Sequence, residues 1–487
     1  APILRALRAD PGKMYNLVSE NIFPHFDFNV MSQWVLGDNW NGASEETRTA
    51  FVEQFRKLLV RTYASALLEF SDQTISYPDV EQQGGANTAI ASELLTKAEI
   101  NMREFDPRRF GNWATKDYTA EVSVADYHHM YYCYKPAEQH EVGRGLRKSS
   151  LYERLKAEGA QFAQIFGWER PRWYDRNGDG EKYSFRRSNW WGAVREEALA
   201  VREKVGIMDL STFSKYDVKG KDAHGFLDRI CANRIPSKEG GIILGHLLNA
   251  NGFIESEITV TRLGPEHYYV LSAAVAQLHD LDQMNWRKRP EEKVTVTDVT
   301  DDLGVLVLAG PKSREVLAAC TKADLSNGAF RWLTAKEATV AGVKGVRLLR
   351  MNYVGELGWE LHVPMASMPK VFDALMAAGK PHGIRLFGTY AMNSLRMEKA
   401  YRGWGSELTN EIGMSEASME RFIRLDKEDF IGKQASLAMK QRGDRMKLVY
   451  MEVDNTDSDC MGNEPVYHGD RVVGVTTSGA FGHTVNK

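Results

Sequence analysis

The chain has 487 residues, a formal net charge of -3 and a hydrophobic share of 43%, enough for several packed cores and two to four domains. Its 62 basic and 65 acidic residues nearly balance, which leaves no global nucleic-acid footprint, so no nucleic-acid partner is expected. No run reaches the length of a membrane span, and Cys133, Cys231, Cys320 and Cys460 are scattered without zinc or disulfide spacing, which favours reduced thiols and a cytoplasmic setting.

In chain order, residues 1–80 read as a helical segment. Ser44 stands as a helix cap, with Thr47 where a capping box would place Glu. Phe51, Phe55, Leu58, Leu59, Thr62 and Tyr63 then follow helical spacing and make an apolar face. The segment 21–35 is shorter and interrupted by Pro24. A linker is expected over 81–102, around the polar, glycine-containing EQQGGAN at 81–87. Residues 103–190, with FDPRRFG, SVADYHHMYYCYKP, GRGLRKSSLYERLKAEGAQFAQIFGWERPRWY and SFRRSNWW, resemble the connector that follows the flavin domain in dimethylglycine dehydrogenases. Within it, Asp175 to Gly180 mimics the start of a calcium loop, but Arg186 occupies the position that needs a bidentate Glu, so a solvated turn is expected. His128 and His129 sit among tyrosines and read as a structural pair, so no metal site is assigned.

Residues 191–440 alternate strands and helices, an α+β pattern. Strands are expected near 216–219, 254–261, 268–271, 294–298, 305–309, 346–351 and 359–363. Helices are expected near 196–205, 223–231, 312–319, 368–378 and 390–399. Residues 441–487 read as short strands.

Five motifs occur in order: MDLSTFSKYDVKG (208–220), LLNANGFIESEITV (247–260), LGVLVLAGPKSREVL (303–317), NYVGELGWEL (352–361) and LRMEKAYRGWGSEL (395–408). Together they resemble the folate-binding T-protein of the glycine cleavage system, and more closely the C-terminal half of dimethylglycine and sarcosine dehydrogenases. The resemblance implies a T-protein-like fold of three subdomains around a central channel, with a C-terminal β-barrel cut short at Lys487. It implies one-carbon transfer from a methylated amine or iminium to tetrahydrofolate. The flavin domain of that family should stand upstream, yet residues 1–100 hold no strand–GxGxxG–helix unit. FAD is therefore expected only from another chain or domain, such as a separate flavoprotein subunit. Instead, NLVSENIFPHFDFNVMSQWVLGDNW and FVEQFRKLLVRTYASALLEF resemble the start of the Mla/toluene-tolerance phospholipid carriers. That likeness implies a phospholipid partner and a periplasmic setting; the alternative is a plain helical domain with a packed aromatic face. No signal peptide is visible and the start at Ala1 reads as that of a processed chain or a fragment; a fused or shortened product with neither activity complete is a third reading.

The candidate site residues rest on chemistry plus that resemblance. Glu356, between Gly355 and Gly358 in a turn, can offer its carboxylate to the amino-amide edge of a pterin, a charged two-bond contact; a surface Glu on a strand corner is the alternative. Glu255, Glu257 and Thr259 share one face of a strand. Glu257 falls at or next to the reactive-site Asp of T-proteins and is the catalytic candidate, against a merely solvated face. Arg396 borders the folate channel by resemblance and can hold a carboxylate, or else pair with Glu398. Tyr353 and Trp404 are candidate walls of the cofactor pocket, or core. Asp209 and the Gly310-Pro311 helix start read as architecture.

Overall fold

The computed structural model describes residues 28–29, 32, 39–69, 110–130 and 132–487. The chain divides into two compact units, Ala1–Asn101 and Met102–Lys487. Among the described residues no helix is long and apolar enough to cross a membrane.

In the first unit, helix α1 (Glu45–Glu69) starts where its cap predicts. The Thr47 amide donates to Ser44 Oγ at 3.2 Å, and the two hydroxyls bond at 2.8 Å. Thr47 thus closes the first turn in place of the Glu of a capping box, and Glu45 and Glu46 meet the positive end of the helix dipole. Phe51 and Phe55, one turn apart, stack with ring centroids 5.9 Å apart. The side chains of Leu58, Leu59, Thr62 and Tyr63, most of segment 21–35 and the linker at 81–102 lie outside the described residues.

The second unit opens with α2 (Lys116–His128), α3 (Tyr152–Ala157) and a hairpin of β1 (Ala160–Ile165) and β2 (Trp168–Tyr174). The hairpin loop is Phe166-Gly167, both at positive φ (50° and 78°), the backbone of a type I′ turn. No hairpin was expected in this stretch, and Phe at positive φ is not a residue that signals one. At its end, the Asp175 carboxylate accepts the amides of Asn177, Gly178 and Gly180 at 2.7–3.0 Å. Those carboxylate bonds make it a turn organiser. Both histidines of the pair are exposed, and His129 packs edge-on to Tyr132 and His140 and bonds the Ala125 carbonyl.

The rest is built on two sheets. Elements follow as α4 (Trp191–Glu203), β3 (Gly206–Asp209), β4 (Ser214–Lys219), α5 (Ala223–Ile230), β5 (Ile242–Leu248), β6 (Ile254–Gly264), β7 (His267–Ser272), α6 (Gln277–Trp286), β8 (Thr295–Asp298), β9 (Leu303–Ala309), α7 (Ser313–Ala318), β10 (Ala335–Val340), β11 (Val343–Leu349), β12 (Gly358–Pro364), α8 (Met368–Gly379), β13 (Arg385–Leu386), α9 (Thr389–Met397), α10 (Lys433–Arg442) and the hairpin β14 (Pro465–His468)–β15 (Arg471–Val475). Each expected strand and helix is present, with ends shifted by a few residues. One sheet has six strands in the order β10-β11-β12-β9-β3-β13; the other has five, β5-β6-β7-β4-β8.

The burial of strand β9, LGVLVLA, explains the layering. Leu306 and Leu308 face a core with Val371, Phe372 and Leu375 of α8. Val305 and Val307 face the opposite core with Val194, Ala198 and Val201 of α4 and Leu395 of α9. A strand covered on both faces reads as a continuous apolar run. The five-stranded sheet packs Val218, Val260 and Val270 against Phe226, Leu227 and Ile230 of α5. A fourth core, Leu248, Ile254, Leu408, Met414, Ala417 and Phe430, ties segment 404–430 to the end of that sheet. Sheet meets sheet through Ile242, Tyr269 and Leu271 against Ala335 and Leu349.

Candidate functional site

Glu255 and Glu257 sit two residues apart on β6, but the strand bulges at Glu255: Ser256 pairs with Leu247 and Ile254 with Leu248, so the alternation expected to put both carboxylates on one face is broken and their environments differ. Glu255 is buried and accepts a hydrogen bond from His279 Nε2 at 3.1 Å; His279 Nδ1 lies 2.8 Å from Asp280 on α6. Burial alone would push the His279 pKa down, but bonds and charges from Asp280 and Glu255 lift it to about 9, so this imidazole is a cation at neutral pH. Ser256 donates to the other Asp280 oxygen at 2.8 Å. Glu255 is therefore neutralised within a structural network. Glu257 keeps partial solvent access, 19% of its side chain, and its nearest ionisable neighbour is His246 Nε2 at 3.5 Å.

Arg396 on α9 is buried. It donates to Asn393 Oδ1 at 2.9 Å, to the Tyr401 carbonyl at 2.8 Å and to Glu407 Oε2 at 3.2 Å. This corrects the expected pairing with Glu398. Residues two apart on a helix diverge in direction, so Glu398 instead pairs with Arg202 at 2.9 Å and Arg396 with Glu407. Burial raises the Glu407 pKa, but hydrogen bonds and the Arg396 charge outweigh it and hold the carboxyl below its ordinary value. The guanidinium is thus already engaged by protein groups.

Tyr353 donates its hydroxyl to the Arg402 carbonyl and stacks on Tyr401 at 6.0 Å. Burial raises its pKa, with Glu257 and Glu407 adding to the rise and Arg396 opposing it. Tyr353, Glu257, Arg396 and Glu407 therefore occupy one electrostatic neighbourhood. Three of these side chains meet at Gly403: a Cβ there would stand 3.3 Å from Glu407 Oε2, 3.8 Å from the Tyr353 hydroxyl and 3.9 Å from Arg396 Nη2. Trp404, next in the chain, reaches back to strand β6, donating Nε1–H to the Glu255 carbonyl at 3.2 Å with its ring 6.2 Å from His279.

Glu356 makes a separate arrangement. The turn before it is closed by Asn352, whose Oδ1 accepts the Val354 and Gly355 amides and whose Nδ2 donates to the Glu356 carbonyl. Gly355 is in the left-handed region at φ 72°, as the turn requires. Gly358 serves another purpose than close approach to a ligand: a Cβ there would lie 2.5 Å from the Leu308 carbonyl on β9, so its bareness lets two strands pack. The Glu356 carboxylate, 23% exposed, accepts from Arg202 Nη1 at 2.8 Å. Arg202 also bonds Glu398 and the carbonyls of Val354 and Leu395. An ionised carboxylate offers about four lone-pair sites, so this bond orients Glu356 while leaving capacity for a ligand. Farther along, Glu360 turns to the buried face of β12, where burial pushes its pKa up to about 8. Asp209 is buried and bonded to Ser149 and Ser211, an architectural role as expected.

Sequence reasoning missed His246, His279, Asp280, Glu407, Arg202 and Asn352. Only Asn352 carried a local signal, an Asx residue opening a glycine turn. The others meet the site through strand pairing or helix packing across long sequence separations.

Comparison with known proteins places this geometry in context. Residues 151–427 match the GCVT N-terminal domain family, and 446–487 match the glycine cleavage T-protein C-terminal barrel domain. Residues 97–149 match the FAD dependent oxidoreductase central domain, and 4–106 match the MlaC protein family. Mitochondrial dimethylglycine dehydrogenase of Homo sapiens is 38% identical over 413 residues, covering 83% of this chain and 47% of that enzyme. Mitochondrial sarcosine dehydrogenase of Mus musculus is 32% identical over 450 residues, covering 83% and 48%. The chain thus spans about half the length of these relatives. The crystal structure of glycine cleavage system aminomethyltransferase T from Bartonella henselae shares the fold, with a TM-score of 0.57, 22% identity, and coverage of 70% of this chain and 88% of that one.

Proposed function

We propose, from the premise that this chain belongs to the glycine cleavage T-protein family, that unit Met102–Lys487 binds tetrahydrofolate and accepts a one-carbon group onto it from an iminium of a methylated amine. The observation that supports this most is the convergence of Tyr353, Arg396 and Glu407 around Gly403, with Trp404 beside it bonded back to β6, the strand that carries Glu257. In this reading a folate nitrogen attacks the iminium carbon. The new C–N bond forms, the π pair moves onto the iminium nitrogen, and the folate N–H proton passes to Glu257. Glu257 then returns the proton to the amine nitrogen as the lone pair of the attacking folate nitrogen expels the amine, and the second folate nitrogen closes the methylene bridge, its proton going to solvent. Glu356 holds the amino-amide edge of the pterin, aimed by Arg202. Arg396 shapes the channel wall through Glu407 instead of gripping the glutamate tail directly. The amine oxidation that makes the iminium, and the FAD it needs, belong to another chain or domain in this proposal.

Titration of the protein with tetrahydrofolate by calorimetry tests the reading. Saturable binding at one site per chain is expected; no heat at high folate concentration counts against it. The MlaC family match at residues 4–106 favours a second reading for the first unit, a phospholipid contact. Mass spectrometry of an organic extract of purified protein is expected to find phospholipid, and its absence alongside intact folate binding would reduce that unit to a structural appendage.

A further inference from the structure

Strand pairing places His246 of β5 directly opposite Glu257 of β6. Side chains of residues opposed in this way lie on the same face of the sheet. His246 is fully buried, and neither ring nitrogen has a hydrogen-bond partner. Its Nε2 stands 3.5 Å from Glu257 Oε2, within reach of the charge but longer than a formed hydrogen bond. Its ring packs beside Phe422, with centroids 5.9 Å apart, at the end of the sheet that segment 404–430 covers. A buried imidazole with two unmade hydrogen bonds calls for a reason, and hydrogen bonds at catalytic groups often tighten only when a ligand fills the site.

We infer that His246 is a positioning residue for Glu257: its Nε2–H donates to one carboxylate oxygen in the filled site and aims the other at the reacting nitrogen of the one-carbon acceptor. This rests on the proposed role of Glu257. The two neighbouring carboxylates of β6 would then each have a histidine, with opposite duties. His279 locks Glu255 into the fold, while His246 sets the direction of a carboxylate that stays open to substrate.

The test uses His246→Gln, His246→Asn and His246→Leu in the full chain. Gln carries an amide N–H near the position of imidazole Nε2, and Asn carries one near Nδ1. The Leu and Asn variants are expected to lose about tenfold to a hundredfold in kcat for one-carbon transfer from formaldehyde to tetrahydrofolate, with KM for folate little changed, and the Gln variant to recover most of that loss. Equal losses in all three, or a change confined to KM, would overturn the assignment. A second measurement needs no turnover: the ring 15N resonances of His246 in the parent and in Glu257→Gln. A shift at Nε2 larger than at Nδ1 is expected, and no shift at either overturns the inference. A parent protein that binds no tetrahydrofolate would sink the proposed function alone, because the ring resonances still decide whether His246 and Glu257 act together.

Discussion

Glu257 and Glu356 are both acidic side chains within glycine-bearing motifs, yet the fold treats them differently. Glu356 sits in a turn built by its neighbours in sequence, and a single guanidinium, Arg202, holds it alongside Glu398. Glu257 sits in the middle of a sheet, two residues from a carboxylate neutralised by a histidine cation, and faces an imidazole without other partners. One carboxylate is oriented by charge, as suits an anchor. The other forms no ion pair with a lysine or arginine among the described residues and faces only the His246 imidazole at 3.5 Å, which leaves its oxygens open to a substrate proton.

Four experiments break or sharpen that contrast. The largest effect is expected for Glu257→Gln, which should lower turnover roughly a hundred- to ten-thousandfold, the usual range for a general base, while calorimetry finds folate affinity nearly unchanged. Equal losses in binding and turnover would make the two carboxylates the same kind of residue.

Next comes Arg202→Met. It leaves Glu398, only 3% exposed, without its guanidinium, and stripping one partner from a buried ion pair costs about 3–5 kcal/mol. Denaturant unfolding should show the drop; a parental midpoint would mean that Thr484, which also bonds Glu398, suffices to hold the cluster.

The third is a pH experiment on the structural carboxylate. The His279 pKa is raised to about 9 in the folded protein, above the value near 6.5 expected for an unfolded histidine. Its stabilisation is therefore complete below about pH 6.5 and is lost as pH rises toward 9, on the order of 3–4 kcal/mol in all. His279→Gln should flatten this decline in a pH series of unfolding midpoints, and an unaltered slope would remove His279 from the account.

The smallest effect is expected for Glu356→Gln. Losing one charged hydrogen bond of about 1.5–3 kcal/mol should weaken tetrahydrofolate binding about tenfold to a hundredfold. Stability should hardly move, because Arg202 keeps Glu398. A variant that binds folate like the parent would reduce the motif to a turn.

The chain's own periodicity determined a good deal. Alternating apolar runs such as LGVLVLA and YYVLS became strands, the stretch after Ser44 became a helix, and Gly355 sits at the positive φ that its turn needs. These are local effects, set within a few residues by sterics, capping and the solvent preference of each side chain. The ordered motifs also identified the family, because that likeness is carried by sequence itself. What the chain could not state by local pattern is who meets whom. Arg396 pairs with Glu407 eleven residues on, Glu356 with Arg202 more than 150 residues back, and His246 reaches Glu257 only because β5 and β6 pair in that register. The Phe166-Gly167 turn was hidden for a related reason, since sheet pairing overrode the preference of Phe against positive φ. Charge partners and strand register depend on contacts between distant segments, and those exist only once the sheets and helices have packed.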